Sequence, residues 1–245
     1  MPRTITYGTR LRALGGSIAL VFGAFILGNI LLIATAIVLE ALGVPIFGRP
    51  GRLLFLSTVL LQGITFGGIA LIYLKVRDLG LGFIRARIPD LRDAGIVVGG
   101  IVALFALLIV ANVVLSSLGI ESATNQIIEI GQQNPTVFLL LIPLSYLLIG
   151  PGEELFFRGL VQGSLMESYR PVVAILLASG LFAMPHVFSL SGQGKIVSVS
   201  IVFLLALVLG ASYVYSENIV VPSVIHGTFN AVQFGGAYLF STGAL

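Results

Sequence analysis

Gly150-Pro151-Gly152-Glu153-Glu154-Leu155-Phe156-Phe157-Arg158-Gly159 sets two adjacent carboxylates and an arginine inside a sequence that otherwise avoids charge. Ionisable groups at membrane depth are costly and mark function by default. On a helix Glu154 and Arg158 stand four positions apart on one face and can pair, whereas Glu153 lies roughly 100° round the axis. The spacing neutralises one carboxylate and leaves its neighbour free.

The surroundings of this stretch define its medium. In 245 residues, 57% are hydrophobic and 9% charged, and the mean hydropathy is +1.09. Such a chain cannot display enough polar surface to dissolve as a globule. It reads as an all-α, polytopic membrane helix bundle. With no cysteine, disulfides, thiolate metal sites and a cysteine nucleophile are all excluded. The net charge of +3 comes from 13 basic residues, most of them in the first 92 positions, where they serve as topological anchors rather than as a nucleic-acid surface.

The windows between charged residues set the spans. Uncharged runs lie between Arg12 and Glu40, Arg52 and Lys75, Asp93 and Glu121, Glu129 and Glu153, Arg170 and Lys195, Lys195 and Glu217, and after Glu217. Each suits a membrane helix of about 20 residues with some tilt. Seven spans result, and residues 153–170 either continue the fourth or form a short eighth. Gly150-Pro151-Gly152 reads as a break in that fourth span, because proline disfavours helix at the residue before it. Ala34-Thr35-Ala36 resembles a signal-peptidase site, but the apolar run continues past it, which favours an uncleaved helix.

The loop from Lys75 to Asp93 carries Lys75, Arg77, Arg85, Arg87 and Arg92 and is expected to be cytoplasmic, which puts the amino terminus inside as well. Its apolar residues suit either an interfacial segment or a plain connection. Arg49 and Arg52 then fall outside, against the bias. No repeat or linker divides the chain, so 1–245 is one integral membrane domain. The spacings Gly63-x-x-x-Gly67 and Gly95-x-x-x-Gly99 read as close helix approaches.

A turn near Tyr169-Arg170 places Glu153 and Glu154 on one side and His186 on the other at similar distances from it. In an antiparallel hairpin those positions share a depth. His226 lies in the last span, with Asn230 four residues on along the same face. Taken singly, each has a bland explanation: a packed histidine, a structural ion pair, an interhelical amide bond. Taken together they favour one site, because unsatisfied polar groups in a bilayer cost several kcal/mol each.

A glutamate sheltered from water can act as a general base, a nearby histidine can share the proton, and a second histidine with an asparagine can donate to a developing oxyanion. That is peptide or ester hydrolysis without a covalent intermediate. No His-Glu-x-x-His or Gly-x-Ser-x-Gly occurs, and the three aspartates all lie in the basic loop. Zinc held by Glu153, His186 and His226 is the metal arrangement that remains open; otherwise no cofactor is expected.

Glu153-Glu154-Leu155-Phe156-Phe157-Arg158, Phe182-Ala183-Met184-Pro185-His186 and His226-Gly227-Thr228-Phe229-Asn230 resemble, in order and spacing, the motifs of the CPBP family, which comprises type II CAAX prenyl endopeptidases and bacteriocin-processing or immunity proteins. The resemblance covers roughly residues 135–240, the expected catalytic core between helices of the second half. It implies that Glu153 activates water with help from His186, that Glu154 holds Arg158, that His226 and Asn230 form an oxyanion hole, and that Phe182 packs beside His186. It also implies an intramembrane endopeptidase of the cell membrane, acting on a membrane-anchored peptide or protein in which the scissile segment is near a prenyl group in eukaryotic relatives. A non-catalytic immunity or scaffold protein is the alternative. A proton-coupled carrier is third, since the ionisable residues and the helix breaker fall in one half rather than in paired repeats.

Overall fold

The computed structural model describes residues 7–244. Eight helices account for nearly all of it: α1 (Tyr7–Ala41), α2 (Pro50–Val76), α3 (Leu91–Leu118), α4 (Gln126–Gln133), α5 (Thr136–Met166), α6 (Pro171–Ser189), α7 (Lys195–Ser216) and α8 (Val220–Ser241). Among the described residues, α1, α2, α3, α5, α6 and α7 are long and apolar enough to cross a membrane. The seventh expected span, α8, is 22 residues long. It falls short in apolarity because Ser223, His226, Asn230 and Gln233 interrupt it. Residues 153–166 continue α5 rather than forming an eighth span.

Successive long helices alternate in direction and gather the connections at two ends of the bundle. At one end, Thr124–Asn125 (β1) pairs antiparallel with Leu190–Ser191 (β2), Thr124 opposite Ser191, and Ser198 Oγ donates to the Ala123 carbonyl. At the other end, Ile219 N donates to the Arg85 carbonyl at 3.3 Å and Tyr169 Oη donates to the Arg10 carbonyl. Segments 119–135 and 190–194 thus share one face, and 77–90, 167–170 and 217–219 share the other.

The basic loop is a connection, not an interfacial helix. Ile84 is buried against Gly159 and Phe83 lies beside Gly163. Asp90 and Asp93 close a reciprocal capping box at the start of α3. Arg87 grips the buried Asp93 with both terminal nitrogens, at 2.8 and 2.9 Å, and donates to the Ser216 carbonyl; Asn218 Nδ2 donates to Asp93 as well. This clasp fastens the loop to the α7–α8 corner, where Glu217 adopts a left-handed conformation with φ of 51°.

Packing inside the bundle is aromatic around α5. Phe66 stacks on Phe156 with centroids 4.8 Å apart, and Phe157 meets Phe182 edge-on at 5.0 Å. Outward faces stay apolar: Val98, Val102, Ile109, Val110 and Val113 of α3 are all exposed, as lipid-facing residues should be.

Gly150-Pro151-Gly152 does not break α5. Ile149 and Gly150 keep helical angles, and Gly150 N donates five residues back to Ser145. The widened π-turn makes room for the proline ring, which would otherwise meet the preceding carbonyls. The glycines serve contact. A Cβ on Gly150 would lie 2.7 Å from the Ser223 carbonyl oxygen of α8, and one on Gly152 would collide with the backbone carbonyl of Gln62 on α2. The other glycine spacings differ from expectation. Gly63 meets Leu148, but Gly67, Gly95 and Gly99 face open space, and it is Gly100 that receives Ile225 of α8.

Candidate active site

α5, α6 and α8 bring the polar motifs to one place. Glu154 and Arg158 are fully buried and pair along α5, Oε2 to Nε at 3.1 Å. The other oxygen of Glu154 is 2.9 Å from Nδ1 of His226. Glu154 therefore has two partners, one turn away on its own helix and across the bundle on α8. The second partner was not expected: positions 154 and 226 are joined by the fold alone.

Arg158 is held further by the Ala206 carbonyl, at 3.4 Å from Nη2, and lies over the ring of Phe182 at 4.8 Å. Phe182 also contacts the rings of His186 and His226, with centroids 4.8 and 6.0 Å away. It is core and site wall at once. A guanidinium over an aromatic face gains from the ring quadrupole, most of all where water is excluded.

His186 lies in the tight 3-10 turn that ends α6. Its Nδ1 hydrogen-bonds the Phe182 carbonyl at 2.9 Å, which fixes the ring and leaves Nε2 to the cavity. The motif proline, Pro185, opens this turn and is itself buried.

Glu153 contrasts with its neighbour. Its carboxylate accepts no hydrogen bond among the described residues, and its nearest charged partner is His226 Nε2, 4.0 Å from Oε2. That separation is too long for a hydrogen bond and short enough for one water to bridge. Asn230, one turn beyond His226, makes no hydrogen bond among the described residues, so its amide also remains available.

Glu153, His186, His226 and Asn230 line one cavity of about 450 Å³. It extends from these residues toward the face of segment 119–135, where Ser122, Asn125 and Leu190 border it. One wall is apolar, with Leu104 and Leu108 of α3 and Ile201 and Leu205 of α7; amides of Gln62, Asn112 and Gln233 lie elsewhere on its lining. These amides were missed from sequence, because isolated Gln and Asn residues on separate spans carry no spacing signal. Among the described residues, no three His, Asp or Glu side chains are arranged to hold a metal ion.

Fold and site together define a polytopic helical membrane protein with a polar cleft sunk between its spans. Residues 135–232 match the family model described as Rce1-like, type II CAAX prenyl endopeptidase Rce1-like, so this part of the chain is similar to that protease family. The matched segment holds every motif position from Glu153 to Asn230. Comparison with curated proteins and with solved structures returned no match.

Proposed function

We propose that the chain is an intramembrane endopeptidase of the glutamate type, in which Glu153 activates water for attack on a peptide carbonyl. The observation that carries this reading is the division of labour between adjacent carboxylates. Glu154 is consumed by Arg158 and His226, while Glu153 lines the cavity without a hydrogen-bond partner among the described residues.

In the proposed reaction, water in the cavity gives a proton to Glu153 as its oxygen bonds to the carbonyl carbon. His186, with Nε2 toward the cavity, shares that proton. The carbonyl oxygen becomes an oxyanion, which takes hydrogen bonds from His226 Nε2–H and the Asn230 amide. The proton then passes to the leaving nitrogen as the C–N bond breaks, so no covalent intermediate forms. His226 donates from Nε2 while its Nδ1–H is held by Glu154. With His226 protonated, two carboxylates face Arg158 and His226⁺, and the buried cluster balances in charge. No metal has a step in this scheme.

The substrate is a membrane-anchored peptide or protein. The apolar wall of α3 and α7 suits a lipidated side chain such as a prenyl group. With the amino terminus in the cytoplasm, the basic loop lies inside, and the cavity opens toward the other face of the membrane. The test is cleavage of membrane-anchored and prenylated peptides by purified protein, with chelator arms. Turnover that survives chelator supports the reading; chelator-sensitive turnover moves the histidines and Glu153 into ligand roles.

A further inference from the structure

On the face opposite the basic loop, α2 begins between two cations, Arg49 and Arg52. Neither has an acidic partner among the described residues. The Arg49 guanidinium makes no hydrogen bond or ion pair there, and Arg52 spends one side-chain N–H on the Pro45 carbonyl at 3.0 Å. Glu40 turns one oxygen, Oε1, to the backbone amides of Ile46 and Phe47, each at 2.6 Å, and makes no ion pair with either arginine among the described residues. The two guanidiniums stand at the rim of a groove of about 820 Å³ between the α1–α2 corner and α4–α5. Among the described residues no Asp or Glu lines it; below the arginines its walls are Phe55, Leu56, Val137 and Leu140. Gln133, Asn134 and Thr136 add polar groups at the same rim.

Position and chemistry agree on the occupant. Pro50 and Thr136 both open membrane-crossing helices, so the cations sit at the level of lipid headgroups and the apolar walls descend from there. Two unpaired guanidiniums over an apolar trough match a phosphate attached to acyl chains. They match neither a free aqueous anion, which has no use for the trough, nor a neutral lipid, which does not answer the net charge.

We propose that this groove binds one anionic phospholipid, with its phosphate on Arg49 and Arg52 and an acyl chain along Phe55, Val137 and Leu140. The bound lipid offsets one of the two positive charges on the face where basic residues are disfavoured. It also braces α4, whose Ile127 and Ile128 line the catalytic cavity while Ile130 lines the groove.

The test uses the full chain purified in phosphatidylcholine nanodiscs and titrated with phosphatidylglycerol. Native mass spectrometry counts retained lipid, and thermal unfolding reads stabilisation. Wild type should retain one phosphatidylglycerol and unfold at a higher temperature with it. Arg49→Gln/Arg52→Gln should bind it about thirtyfold more weakly, from about 1 kcal/mol per cation. Arg49→Gln alone, which breaks no internal bond, should lose a measurable part of that affinity with unfolding in phosphatidylcholine unchanged. Arg77→Gln, on the opposite face, should bind as wild type does. The proposal is overturned if the double variant retains phosphatidylglycerol as wild type does. Equal retention of phosphatidylcholine, the same stabilisation by inorganic phosphate alone, or a stable dimer covering the groove would overturn it too.

Discussion

Glu154 orders the site more than any other residue, because Oε1 bonds His226 across to α8 at 2.9 Å while Oε2 holds Arg158 on α5. Removing one member of a buried ion pair strands the other in low dielectric. Glu154→Gln should therefore destabilise the protein by about 3 kcal/mol in denaturant unfolding in detergent, and Arg158→Leu added to it should restore part of the loss. Asn230→Ala has a different expected signature: unchanged unfolding, with kcat lowered about 100-fold or more if the proposed oxyanion donor is lost. Spacing on one helix made the Glu154–Arg158 pair and the freedom of Glu153 legible in the sequence. The Glu154–His226 bond was not legible, since no local pattern links residues on helices separated by two spans.

Helices read more reliably than their contacts. Charged residues punctuate the spans, so each long helix overlaps the window where apolar length put it, although α5 runs on past Glu153 to Met166, and Asp90 and Gly119 mark the ends of α3. The last span is dimmed by the polar residues assigned to the proposed site, His226 and Asn230 among them. Gly150-Pro151-Gly152 misleads because proline's preference is local, whereas the π-turn and the contacts with α2 and α8 hold the helix through it. Likewise, glycine spacing says which residues share a face but not whether a neighbour meets that face, and Gly95 and Gly99 meet nothing within 4 Å. Gly152→Ala should cost about 1–3 kcal/mol by overpacking against a backbone carbonyl that cannot rotate away. Gly180→Ala, on α6 with nothing within 4 Å, should be neutral or stabilising by up to about 1 kcal/mol. Parallel unfolding curves for the two variants check both.

The whole molecule presents two faces, one fastened by the Arg87–Asp93–Asn218 clasp and the other by the β1–β2 pair, with the cavity of the proposed site reaching toward the second. The natural absence of cysteine allows this to be mapped with single introduced thiols. Gln193→Cys should react with a membrane-impermeant maleimide on intact cells, and Gly80→Cys only after permeabilisation. Labelling of both from one side would contradict the fold; labelling in the reverse order would contradict the cytoplasmic amino terminus and leave the fold standing.

The central claim is that Glu153 is the base of a membrane endopeptidase. Its most direct test is cleavage of a panel of membrane-anchored and prenylated peptides by purified wild type and Glu153→Gln, with circular dichroism confirming equal folding. The account predicts cleavage by wild type and a rate lower by at least about 100-fold in Glu153→Gln, the loss expected when a general base is removed. Undiminished cleavage by a folded Glu153→Gln protein would contradict it.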